Sequence, residues 1–213
     1  AAFALLAKED CRKGALFGTG SMASAQLEAM LSARDLKLVH VYSPNQESLQ
    51  RFVEEKGKDF SLYGAKIVAA ESPEEAVEDA DLIITATPSK QPVFDGRLLK
   101  PGATVSGVGS FTPEMQELSP FALQRASKVY FDSMTAVLAE SGDLLQPLHA
   151  GQISDEQFMG DLGDVILGKL PGRESDEEII LFKSVGLAAQ DLVTAKWIYD
   201  KALEAGVGTL WEE

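Results

Sequence analysis

From residue 15 to residue 131, short apolar runs alternate with stretches of helical spacing, and this alternation constrains the fold more than any other feature. The runs at 15–17, 36–42, 66–69, 81–85, 103–106 and 128–131 have the length and composition of β-strands. Between the earlier ones lie helical stretches at 21–32, 47–56 and 73–78. In the second of these, Pro44-Asn45 forms the turn, and Leu49, Phe52 and Val53 make the apolar stripe. Consecutive parallel strands need a crossover, and a helix is the usual one, so the pattern predicts an α/β chain with a doubly wound, mostly parallel sheet. Beyond Asp132 the rhythm changes. Residues 135–140 look helical, and Ser141-Gly142-Asp143 breaks them. Residues 155–168 read as a helix with a glycine interruption, 178–183 as a β run, and 187–205 as a long amphipathic helix ending at Gly206. The expected division is one domain over 1–186 with a C-terminal helical extension over 187–213.

Length and composition fit this picture and narrow the partners. The 213 residues suffice for a real core. Thirty-three acidic against 19 basic residues leave a net charge of −14, which argues against a nucleic-acid surface and against binding to an anionic membrane. No apolar run approaches the ~18 residues of a membrane span. Cys11 is the only cysteine, so an intrachain disulfide is excluded and a reducing, cytoplasmic setting is expected. With only His40 and His149 besides, no zinc site is expected. The chain opens Ala1-Ala2-Phe3-Ala4-Leu5-Leu6-Ala7 without an initiator Met or a capping residue. Residues 1–10 therefore read as the end of a helix cut from a longer protein.

The sharpest local signal is Gly18-Thr19-Gly20-Ser21-Met22-Ala23, a G-x-G-x-x-A loop between the first strand and first helix. Gly18 permits the tight turn, Gly20 lets a pyrophosphate approach the backbone, and Ala23 keeps the helix close to the sheet. The helix N-terminus adds free N–H groups and partial positive charge. A Rossmann-type dinucleotide site is the reading; a tight strand–helix turn without ligand is the alternative. At the end of the second strand, Ser43-Pro44-Asn45 stands where an NAD-preferring fold often carries an acid. Without that acid a 2′-phosphate is not repelled, and Ser43 and Asn45 have donors to offer, which tilts NAD(P) toward NADP(H). The alternative is a plain turn before the next helix.

In the order and spacing of several further segments the chain resembles the ornithine cyclodeaminase and mu-crystallin family. These are the glycine loop, residues 79–88 (DADLIITATP), 99–103, Gly107-Val108-Gly109-Ser110, Pro113, Glu117-Leu118, residues 141–144, Gly172-Arg173, residues 182–186 and Asp191. The resemblance implies a bound nicotinamide, and a small-molecule imine or amino acid as substrate. It implies a homodimer built from a Rossmann domain and a substrate/dimerisation domain, the latter made largely of an N-terminal segment absent here. Carried over singly, Gly18, Thr19, Gly20, Ser21 and Met22 match the pyrophosphate loop. Ser43, Pro44 and Asn45 match the loop at the adenosine ribose. Ala86 and Thr87, with Val108, Ser110 and Ser184, match segments around the nicotinamide.

One departure matters. Cyclodeaminases carry an Asp where this chain has Phe111, and a phenyl ring cannot accept a proton or orient a hydrolytic water. An imine reductase or amino-acid dehydrogenase is therefore expected for the intact protein. A non-catalytic nucleotide-binding protein and a cyclodeaminase using another acid are the competing readings. No catalytic residue is assigned. Asp132 and Asp143 read as turn or cap residues, His149 as a bystander, and Lys183 as a poor sole anchor for a substrate carboxylate.

Overall fold

The computed structural model describes residues 1–209 and Trp211. Its elements are, in chain order, α1 (Ala2–Leu6), β1 (Lys13–Phe17), α2 (Ala23–Ala33), β2 (Leu38–Tyr42), α3 (Gln46–Asp59), β3 (Lys66–Ala69), α4 (Pro73–Val77) and β4 (Leu82–Thr85). They continue with β5 (Thr104–Gly107), α5 (Pro120–Arg125), β6 (Lys128–Phe131), α6 (Met134–Glu140), α7 (Gly142–His149), β7 (Phe158–Asp161), α8 (Leu162–Ile166), β8 (Ile180–Lys183) and α9 (Ala188–Ala205). The strands form one sheet in the order β3-β2-β1-β4-β5-β8-β6-β7, and every pairing is parallel. The expected α/β doubly wound architecture is thus present, with a C-terminal helix.

Period-two alternation along the strands separates two apolar layers. Phe17, Ile83, Val105, Phe131 and Leu181 face a layer with residues of α4 to α7, and Phe17 stacks on Phe94. Leu16, Val39, Val41, Leu82 and Ile84 face the other, packed by α1, α2 and α3. Side-chain caps fix where several helices begin. Asn45, Ser72, Ser119 and Ser133 accept N–H bonds at the starts of α3, α4, α5 and α6.

Two regions depart from the sequence expectation. Residues 155–168 are not one helix: β7 adds a sheet edge beside β6, and only Leu162–Ile166 is helical. Gly160, at φ +128°, suits an irregular edge strand and not a helix, and the register shifts between Val129 and Tyr130 where it pairs. Ser141-Gly142-Asp143 does end α6, but the chain turns there straight into α7.

The sheet's N-terminal edge is held by charge. Asp81 is buried and accepts from the N–H groups of Arg12 (2.7 Å) and Lys13 (3.0 Å), with Lys100 Nζ at 2.6 Å and Lys8 Nζ at 3.7 Å. Burial alone would raise its pKa; the Arg12 N–H, the Lys100 ammonium and the Lys13 N–H outweigh that and hold it below the ordinary value. Arg34 and Arg173 donate to the last carbonyls of α1 and the loop after it, at Leu6, Ala7 and Lys8. Cys11 donates to Lys8 O, and burial pushes its thiol up to about 11, so it is no nucleophile at neutral pH. Asp81→Ala orphans two N–H groups, takes the carboxylate from two ammonium groups and should destabilise the fold by about 2–4 kcal/mol in denaturant unfolding. Because the Asp81 carboxyl is depressed in the fold, its contribution is full above the unfolded pKa and is lost as pH falls through the folded one. The variant's deficit should shrink accordingly in acid.

Candidate functional site

The strand order reverses at β1: β2 and β3 lie on one side, and β4 and β5 on the other. The connections leaving β1 and β4 therefore diverge, and a crevice opens beyond the C-terminal ends of these strands. It has two lobes. The first, about 400 Å³, is lined by Gly18, Thr19, Gly20, Ser43, Pro44, Ala86, Thr87, Pro88, Ser89 and Val93. The second, about 380 Å³, shares Gly20, Ala86, Thr87 and Pro88 and adds Ser21, Met22, Val108, Gly109 and Phe111. Among the described residues lining either lobe, none ionises near neutral pH. Position and peptide dipoles, not charged side chains, are what this cleft offers a ligand.

The glycine loop is built for close approach. Gly18 lies at φ +108°, and a Cβ there would sit 2.6 Å from Ala86 O, so the turn admits no side chain. Its N–H donates to Tyr42 O, tying the loop to the end of β2. Gly20 is the opposite case: nothing lies within 4 Å of where its Cβ would be, and that free space is the cleft. No side chain caps the start of α2, so its first-turn N–H groups face the loop without a side-chain acceptor.

The other residues singled out by sequence divide. Ser43, Pro44, Ala86, Thr87 and Val108 line the cleft with the glycine loop, but Asn45, Ser110 and Ser184 do not. Asn45 Oδ1 is engaged in accepting the Ser48 N–H that caps α3. Ser110 is fully buried, donating to Met115 O and meeting Ser141 Oγ. Ser184 donates to Asp132 Oδ2 and lines a separate cavity of about 270 Å³ beside α2. Asp132 caps no helix, Ser133 being the cap of α6; the same oxygen accepts from Val185 and Gly186 N–H and ties the loop after β8 to the end of β6. Asp143 is more than a turn residue. It is buried, accepts from the Glu117 and Leu118 N–H groups, and lies 3.3 Å from the equally buried Lys183 Nζ. Lys183 is thereby taken up inside the protein and faces no ligand.

From sequence, Glu117 is only part of a segment that carries the family resemblance, with no role of its own; the fold makes it central. Its carboxylate is fully buried. Oε1 accepts from Thr87 N–H (2.6 Å) and Thr87 Oγ1 (2.8 Å); Oε2 accepts from Gly109 N–H (2.7 Å) and Thr85 Oγ1 (2.9 Å). Burial pushes its pKa up, and the Asp143 charge adds to this; the Thr87 hydrogen bonds and Lys183 offset part of it. Nothing local marks Glu117, because its partners lie eight to 32 residues away along the chain.

The profile of the ornithine cyclodeaminase/mu-crystallin family matches residues 2–206. The chain belongs to that family. It is 39% identical to a Delta(1)-pyrroline-2-carboxylate reductase of Bacillus cereus, over 95% of this chain and 61% of the relative. The solved Thermococcus litoralis Delta(1)-pyrroline-2-carboxylate reductase, in complex with NADH and L-proline, superposes with a TM-score of 0.93 at 36% identity, covering 99% of this chain and 64% of that one. An archaeal alanine dehydrogenase dimer with bound NAD gives 0.89 at 32%, covering 99% and 63%. The chain thus spans about three fifths of the length of these family members. Among the described residues no helix is long and apolar enough to cross a membrane.

The two loop glycines make a paired prediction. Gly18→Ala meets both a positive φ and a backbone oxygen, so it should cost about 1–3 kcal/mol in thermal or denaturant unfolding. Gly20→Ala meets neither and should leave stability within about 0.5 kcal/mol of the parent.

Proposed function

We propose that the protein is an NAD(P)H-dependent oxidoreductase acting on a small imine or its amino acid, of the pyrroline-2-carboxylate reductase or alanine dehydrogenase kind. The observation that carries this is the cleft at the strand-order reversal, with an uncapped helix start and an open Gly20 facing it. The residues fit a dinucleotide. Peptide N–H groups from Thr19 to Met22 would take the pyrophosphate, Ser43 and Pro44 the adenosine ribose, and Thr87, Val108 and Gly109 the nicotinamide half. When bound, the nicotinamide supplies or accepts the hydride. This chain's residues position it and keep water from one face: Met22, Pro88, Val108 and Phe111 give the second lobe an apolar wall.

Phe111, half-exposed at that lobe, offers no group to activate water, and no carboxylate lines the cleft within these residues. This supports reduction or dehydrogenation over cyclodeamination. For the same reason the 213 residues by themselves should bind nucleotide with little turnover, since the lining orients a cofactor but holds no charged anchor for a substrate carboxylate. The family members named above are longer, and the activity is proposed for the protein as a whole. The exposed Leu192, Val193, Trp197, Ile198 and Leu203 of α9 support reading the C-terminal segment as a subunit contact in a homodimer.

Two measurements test this reading. NADH titrated by fluorescence should bind the parent and lose at least about tenfold in affinity in Gly20→Val, with unfolding unchanged; equal binding would remove the loop from the site. With no acid at the end of β2, NADPH should bind at least as well as NADH. Ser43→Asp should shift preference to NADH, because a carboxylate accepts from the ribose hydroxyl and repels a 2′-phosphate. A parent that strongly prefers NADH would show that this loop does not tolerate the phosphate.

A further inference from the structure

Thr87 belongs to the loop after β4 and Gly109 to the loop after β5, and both line the second lobe. The loops touch: a Cβ on Gly109 would fall 2.2 Å from Thr87 O. Their N–H groups do not bond to each other. One donates to each oxygen of the Glu117 carboxylate, which lies directly beneath the cleft floor. Building on the nucleotide reading of the cleft, we propose that Glu117 is its positioning residue: the ionised carboxylate fastens the two loops into one floor, and protonation releases them.

Donor and acceptor counts differ between the two protonation states. An ionised carboxylate is acceptor-only and matches four donors at once. A protonated one must donate its O–H. A threonine hydroxyl can turn to accept that proton, but a peptide N–H cannot reverse, so one loop keeps a weaker acceptor and its contact slackens. The charged groups facing Glu117 are Asp143 from the start of α7 and Lys183 from β8; β4, β5 and the loops that follow them present only Thr85, Thr87 and Gly109. Burial comes first among the influences on its proton, with Asp143 in the same direction, so release sets in above the pH at which an ordinary glutamate protonates. Because no side chain lining the cleft ionises near neutral pH, acid weakening of nucleotide binding reports groups behind the lining.

The test is calorimetric titration of NAD⁺, which tolerates acid, into the 213-residue chain and its Glu117→Gln variant from about pH 8 to about pH 5. Circular dichroism at each pH establishes that the fold persists. The parent should bind tightest at the upper end and lose about tenfold or more on acidification. Glu117→Gln should bind about tenfold more weakly at pH 8 and show a flat profile. A variant that matches the parent at pH 8, or a parent whose affinity is flat, overturns the clamp while leaving the nucleotide site standing. A parent that does not bind NAD⁺ at pH 8 overturns the nucleotide reading and the role with it. If Glu117→Gln does not fold, the parent decides by NMR. The Thr87 and Gly109 amide shifts should then follow one shared titration above the ordinary glutamate range, and independent or absent titrations would refute the clamp.

Discussion

The reversal of strand order beside β1 is the constraint on which the rest of the structure depends. Because β2 and β4 flank the same strand, the chain must leave β1 across the top of the sheet within a few ångströms of the chain leaving β4. Gly18 is the residue that makes this possible, with its positive φ and its approach to Ala86 O. Both lobes of the cleft share Gly20 and the Ala86–Thr87–Pro88 strip, so the contact that closes the fold also lays out the site.

To bind a dinucleotide pyrophosphate as proposed, a chain of charge −14 has to overcome its own field. The cleft offers peptide N–H groups and a helix start for this, and no lysine or arginine lines it. Lys183 is committed to Asp143, and Arg34, Arg173 and Lys100 are held at the opposite end of the strands by the carbonyls near α1 and by Asp81. The polar interior beneath the cleft then has a double task. Glu117, Asp143 and Lys183 satisfy backbone groups that the parallel strands leave at their ends, and they fix loops whose own sequence is too short to fix itself.

Local features were legible from sequence. Residues 66–69 and 128–131 are strands over their whole expected length: each is a compact run, 128–131 buried throughout and 66–69 at the sheet edge with Ile67 buried. The glycine loop was legible for the same reason: its requirements lie within six consecutive residues. Residues 155–168 were misread because their glycines and apolar residues suit either period, and a partner strand 30 residues earlier decides the matter. The Glu117 network could not be read at all. An isolated glutamate looks like surface until the fold carries it under Thr87 and Gly109, and Asp143 and Lys183 look like a cap and a strand-end lysine until they meet.

The central claim is that a nicotinamide dinucleotide lies across the carboxyl ends of β1, β4 and β5. A crystal structure of the protein grown with NADH tests it most directly. Pyrophosphate density is expected against the N–H groups of residues 19 to 22, the adenosine beside Ser43 and Pro44, and the nicotinamide against Thr87 and Gly109. A nucleotide bound elsewhere, or a cleft that stays empty at saturating NADH, would contradict it.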